Sequence, residues 1–141
     1  MMVMVTKKKQ ARKIKGAVII PPNIKPCPAT HEIRVAEILA GLGKTVLFAN
    51  PYTAYKAKSF DVVIDGINWE IKSPQGNSKS TVVRQLKRGK KQSNHIIFDT
   101  SRTSIGDHEI EKRIRKNLIG SHSIKRVIMI TKKQVVIDIC K

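Results

Sequence analysis

Residues 60–76 read FDVVIDGINWEIKSPQG, and the pair Asp65-Gly66 at their centre decides how the rest is read. Asp-Gly between two β-rich runs is the strongest short-range hairpin signal. With those two residues as the turn, Ile64 pairs with Ile67, Val63 with Asn68, Val62 with Trp69 and Asp61 with Glu70. Side chains alternate along a strand, so Val62, Ile64, Ile67, Trp69 and Ile71 share one apolar face. Asp61, Val63, Asn68, Glu70 and Lys72 share the other. The first face is core. The second sets two carboxylates opposite each other, their Cβ atoms about 5 Å apart, with Lys72 beside Glu70. Like charges so placed are destabilising unless something neutralises them, and a divalent cation held between them would do so.

A single Glu-x-Lys tripeptide is about what chance supplies in a chain with 5 Glu and 20 Lys. The weight therefore rests on the conjunction: Glu-x-Lys on the second strand of a hairpin, with an Asp opposite its Glu. The competing structural reading is an ion-pair network on a solvated sheet face.

The 141 residues suit one domain with a genuine core, and a hydrophobic content of 40% argues against disorder. The formal net charge is +18 and the pI about 10.3, which predicts attraction to RNA, DNA or an acidic membrane surface. Only 4% of residues are aromatic, so phosphate contact is a better route to affinity than base stacking. No amphipathic helix with Trp or Phe on its apolar side supports a membrane-surface protein, and no run approaches the roughly 18 apolar residues of a membrane span. Cys27 and Cys140 lie far apart without a metal-ligand spacing, so reduced thiols and a cytoplasmic location are expected. MMVMVTKKKQARKIK has no apolar stretch long enough for a secretory signal. Residues 1–15 read as a basic, partly flexible arm and 16–141 as the folded domain.

Outward from the hairpin, GAVII reads as a strand or extended lead-in before the proline-rich PPNIKPCP. Thr30 is placed to cap a helix through HEIRVAEILAGLG, with Ile33, Ala36, Leu39 and Ala40 on one face and Gly41 or Gly43 ending it. TVLFA is a buried strand, and NPYTAYKAKS a loop into the hairpin. After SPQGNSKS, Ser78 or Ser80 can cap a helix through TVVRQLKRGKKQ. HIIFD is a further strand. Asp107 can cap a third helix whose Ile110, Ile114 and Leu118 recur every four residues. KRVIMIT and QVVIDIC close the chain as two strands joined across Lys132 and Lys133. The order predicts a single-domain α/β fold, an αβββαβ core with a mixed sheet flanked by helices, extended by a C-terminal helix and hairpin.

This order and this hairpin resemble the PD-(D/E)XK nuclease superfamily, a restriction-endonuclease-like αβββαβ core with an Asp on one hairpin strand and Glu-x-Lys on the next. Across residues 30–102 the pattern HEIRVAEILAGLGKTVLFA…DVVIDGINWEIKSPQG…VVRQLKRGKKQSNHIIFDTSR is most similar to the C-terminal tRNA-nuclease domain of CdiA toxins of contact-dependent growth inhibition. The resemblance implies that Asp61 and Glu70 are metal ligands, that Lys72 orients or activates the attacking water, and that Glu32 is a helix-borne accessory acid. It also implies that Gln85 faces the site from the second helix. Phe60 stands where the superfamily's namesake Pro would be. An acidic immunity protein is implied as partner, as is delivery into a target cell.

The chemistry supports the same roles. Two carboxylates suit a hard cation such as Mg²⁺ or Mn²⁺, which keeps several waters and takes a phosphate oxygen as a further ligand. Such a cation acidifies bound water and offsets charge at phosphorus. The Lys72 ammonium can stabilise the charge that develops. The ribose 2′-hydroxyl is an alternative nucleophile on RNA, and the sequence leaves both routes open. Glu32 would also be favoured by its own helix N-terminus, and His31 beside it reads as a polar helix-start residue.

Lys79, Arg84, Lys87, Arg88 and Lys91, with Lys90, crowd the second helix and its lead-in just after the hairpin, which suits phosphate positioning. Lys112, Arg113, Arg115 and Lys116 on the third helix have a weaker claim, because Glu109 and Glu111 can pair with them. The expected activity is metal-dependent cleavage of RNA, tRNA favoured over DNA. The alternative is a non-catalytic basic nucleic-acid-binding module, which explains the charge but not Asp61 opposite Glu70.

Overall fold

The computed structural model describes residues 16–22, 24, 27–49 and 61–141. The arm expected over 1–15, the NPYTAYKAKS loop and Phe60 lie outside the described residues. In chain order the elements are β1 (Ala17–Ile19), α1 (Thr30–Gly41), β2 (Thr45–Phe48), β3 (Val62–Ile64), β4 (Ile67–Lys72), α2 (Ser80–Gly89), β5 (His95–Asp99), α3 (Asp107–Gly120), β6 (Arg126–Ile130) and β7 (Val136–Cys140). This is the expected mixed α/β domain, with GAVII contributing a short edge strand.

Asp65 and Gly66 both take positive φ, 52° and 78°. That is type I′ geometry, whose twist matches a two-residue hairpin. The register is the predicted one: Ile64 with Ile67, Val63 with Asn68, Val62 with Trp69. The seven strands lie side by side in chain order. β2, β3 and β4 are antiparallel neighbours, β4, β5 and β6 are parallel, and β7 returns antiparallel to β6. Parallel pairing demands crossovers, and α2 and α3 supply two in succession.

The alternation of β4 divides the core. Trp69 and Ile71 join Val62, Ile64, Ile97 and Ile130 beneath Val35, Ala36 and Leu39 of α1. On the opposite face Val82 and Leu86 of α2 and Ile110, Ile114 and Leu118 of α3 cover Ile96, Phe98 and Met129. Each fully buried large aliphatic or aromatic side chain here contributes about 1.5–3 kcal/mol by leaving water.

Several local expectations shift. Val35 is fully buried, whereas Ile33 is only partly so, because a helical side chain leans over the preceding turn and moves the buried stripe around the helix. Ala29, not Thr30, holds the N-cap position of α1, and Lys79 that of α2. Gly43, at φ 94°, lets the Lys44 N–H reach back to the Leu39 carbonyl at 3.2 Å, ending α1 as expected. Gly106, not Asp107, precedes α3. Asp107 instead accepts from Thr100 Oγ1 at 2.6 Å and from the Lys132 N–H at 3.2 Å, tying the exit of β5 to the β6–β7 turn.

Nothing lies within 4 Å of a Cβ built on Gly66, so Gly66→Ala tests backbone conformation alone. It should destabilise the fold by about 1 kcal/mol in urea unfolding, while Asp65→Asn, which tolerates the same region, should be near neutral.

Candidate active site

β4 carries Glu70 and Lys72 on its α2-facing side, and the hairpin register brings Asp61 alongside. Asp61 sits one residue before β3. Its N–H donates to the Trp69 carbonyl at 3.0 Å, and its Oδ2 accepts the Ile71 N–H at 2.8 Å. The carboxylate thus continues the ladder where the β3 backbone ends, which fixes its own position. Glu70 is only 4% exposed. Lys72 Nζ lies 3.3 Å from Glu70 Oε2, and Glu70 Oε1 is buried with no hydrogen-bond partner.

α2 closes over this group. A Cβ on Gly89 would meet Ile96 Cδ1 at 3.0 Å and Lys72 Cε at 3.6 Å, so the glycine lets the helix end approach the lysine stem. Thr81 and Gly89 are both buried, and Gln85 lies midway between them on the same i, i+4 stripe. Its half-buried side is the side that faces the sheet.

Burial pushes the Glu70 carboxyl up from its ordinary 4.5 to about 8, and the neighbouring Asp61 carboxylate adds to the rise. Lys72 opposes both but does not outweigh them. A buried acid with an orphaned oxygen, beside a second carboxylate, offers oxygen donors of the type that hard cations take. Among the described residues no group of three or more His, Cys, Asp or Glu could hold a metal. Two carboxylates nonetheless fit Mg²⁺ or Mn²⁺, which retain water and borrow substrate oxygens. The residues therefore fit such an ion.

The other candidates are spread more widely. Glu32 Oε1 accepts the Ala29 N–H at 2.9 Å, so its carboxylate caps its own helix, and α1 covers the sheet face opposite Glu70. Lys79, Arg84, Lys87, Arg88 and Lys91 are exposed along α2 and its ends; Arg84 Nη2 lies 3.3 Å from Thr81 Oγ1.

A polar cluster that sequence reading passed over lies beneath α1. Asp99, wholly buried, accepts from Ser73 Oγ at 2.7 Å, from the Ser101 N–H at 3.1 Å and from Ser101 Oγ at 2.9 Å, with Arg34 Nη1 3.5 Å away. Arg102 Nη1 meets His31 Nδ1 at 2.7 Å. The cluster fastens the C-terminal ends of β4 and β5 to α1. The acid that closes the apolar run HIIFD was its one signal in the sequence.

The folded chain keeps a proton on Glu70 that the unfolded chain releases above about pH 4.5. In EDTA, stability should therefore fall by a few kcal/mol as pH rises from roughly 5 to 8 and then level off. Urea midpoints across that range check this, and Glu70→Gln should remove the Glu70 contribution to the slope.

No curated protein matches this chain. A toxin and immunity complex of CdiA-CT and CdiI from Burkholderia pseudomallei contains a similar chain, at TM-score 0.67 and 20% identity, covering 89% of this chain and 100% of that one. At that identity the likeness is one of fold. The family model of the contact-dependent growth inhibition CdiA C-terminal domain matches residues 58–136, which is more than half of the 141 and includes the hairpin, α2 and α3. The chain belongs to the CdiA C-terminal toxin domain family of contact-dependent growth inhibition.

Proposed function

We propose that this chain is a nuclease that cleaves RNA, tRNA in particular, at the site formed by Asp61, Glu70 and Lys72. The observation that carries this reading is the buried Glu70, with its Oε1 unpartnered and its pKa raised beside Asp61, while Lys72 Nζ stands 3.3 Å from Oε2. Buried carboxylate oxygens in structural ion pairs are as a rule hydrogen-bonded, and Glu70 Oε1 departs from that rule. The element order α1, β2, β3, β4, α2, β5 supports a place in the PD-(D/E)XK superfamily. The net charge of +18 supports a polyanionic substrate, with DNA as the alternative to RNA.

Asp61 and Glu70 would hold Mg²⁺ or Mn²⁺, which supplies Lewis acidity at a phosphate oxygen and acidifies water. Asp61 is oriented by the Ile71 N–H, and Glu70 would give up its proton to complete the pair. Lys72, clamped between Glu70 and the end of α2, keeps its ammonium beside the position where phosphate charge builds. Gln85 can donate its amide to the same phosphate from above. Water and the ribose 2′-hydroxyl are both available as nucleophile on RNA.

The family, and the solved toxin and immunity complex that contains a similar chain, support a cognate immunity partner for this chain. An acidic surface would complement it.

Purified protein should cleave tRNA in Mg²⁺ or Mn²⁺, stop in EDTA and leave plasmid DNA intact. Glu70→Ala should abolish cleavage while tRNA binding persists, and Lys72→Met should lower kcat by about 100-fold or more. Cleavage of plasmid alone would transfer the reading to DNA. Salt-sensitive binding with no cleavage of either polymer would sink the nuclease.

A further inference from the structure

α2 and α3 lie on the same sheet face, and a groove of about 430 Å³ runs between them. Its walls carry Lys87 and Lys90 from α2 and Arg113, Lys116 and Asn117 from α3. A contiguous compartment, again bordered by Lys87 and Arg113, extends it to Arg84. No carboxylate lines either part.

Two features separate this groove from an ordinary solvated charge run. The cations come from two helices and converge on one concavity, so they repel one another at close range. Among the described residues, Lys87, Lys90 and Lys116 have no ion-pair partner. Arg113 gives its Nε to Glu109 at 2.6 Å, and its terminal amino groups carry no hydrogen bond among the described residues. Sequence spacing alone discounts the α3 cations as paired with Glu109 and Glu111. Arg113 and Arg115 do pair with Glu109 and Glu111, yet the tertiary fold also places Arg113 and Lys116 on the wall facing α2.

We infer that the α2–α3 groove binds a run of backbone phosphates of the RNA, away from the phosphate that is cut. From Ser80 to Lys90 the groove follows about 15 Å of helix, enough for several successive phosphates of one strand. The side of α2 that faces Lys72 is the stripe of Thr81, Gln85 and Gly89, so Lys87 and Lys90 look elsewhere, while Arg84 reaches back to Thr81 Oγ1 at 3.3 Å. The groove therefore acts on affinity and on the pose of a folded RNA. A lysine-rich, carboxylate-free concavity suits nucleic acid better than protein, because protein interfaces are depleted in Lys at their cores and nucleic-acid interfaces are far more positive. The polymer named here rests on the nuclease reading; the phosphate binding itself does not.

The test is tRNA binding in the Glu70→Ala background, measured across a salt series. Lys90→Glu with Lys116→Glu should weaken binding about tenfold or more and lower the magnitude of the slope of log K against log salt by about 2. Lys125→Glu with Lys133→Glu removes the same charge elsewhere on the surface and should change binding less than about threefold. If the acidic pair unfolds the helices by circular dichroism, Lys90→Gln with Lys116→Gln should still lower the slope. Equal effects of the groove and control pairs would overturn the inference. So would groove variants that bind tRNA normally but lose an acidic protein partner. Cleavage by the otherwise unchanged chain is scored separately, so a protein that binds through the groove without cutting refutes the nuclease and leaves the groove standing.

Discussion

The Asp65-Gly66 turn, with both residues at positive φ, permits one pairing of β3 with β4. A slip by a single residue would send Glu70 and Lys72 into the α1 core and turn Trp69 and Ile71 towards α2. Burial opposes that slip on both sides. Trp69 and Ile71 pack with Val62, Ile64 and Leu39, an apolar cluster in which an ammonium or two acids would be costly. The same pairing that makes the core therefore holds Asp61 against Glu70. Ile71 makes the link physically explicit, because its side chain lies in the core while its N–H holds the Asp61 carboxylate.

Holding those groups together is electrostatically costly, and the cost shows where the site departs from ordinary packing. Glu70 is driven towards its neutral form by burial and by Asp61, and one of its oxygens faces no donor. An isolated fold would gain by replacing such a group with an apolar residue. Retaining it makes sense if charge arrives from outside, first with a cation and then with a phosphodiester. In the proposed function the basic surface of α2 and α3 would be the long-range counterpart: it would attract a polyanion that the acids alone would repel.

The hairpin register, the element order and the basic character of α2 were legible because each follows from a local rule: turn chemistry, periodicity and charge spacing. What stayed hidden depends on three-dimensional neighbours. The resemblance assigns Glu32 the part of an accessory acid; in the fold its carboxylate accepts the Ala29 N–H, a use open to any acid three residues into a helix. The spacing predicts Asp107 as a cap, whereas the fold has it meet Thr100 and Lys132 across 7 and 25 residues of sequence. Asp99 ends a strand buried on both faces, and its partners Ser73 and Arg34 come from elements that only the sheet order brings together. Arg113 pairs with Glu109 as the i, i+4 spacing predicts, but that spacing says nothing of which helix stands opposite Arg113 and Lys116.

Whether Asp61 and Glu70 share a divalent cation is decided most directly by calorimetric titration of Mn²⁺ into the protein at pH 7, in two buffers of different ionisation enthalpy. Glu70, with a pKa of about 8, is mostly protonated there, so binding should release close to one proton. The release should fade above pH 9 and vanish in Glu70→Gln. Absence of binding, or binding without proton release that persists in Glu70→Gln, would contradict a cation held by this pair.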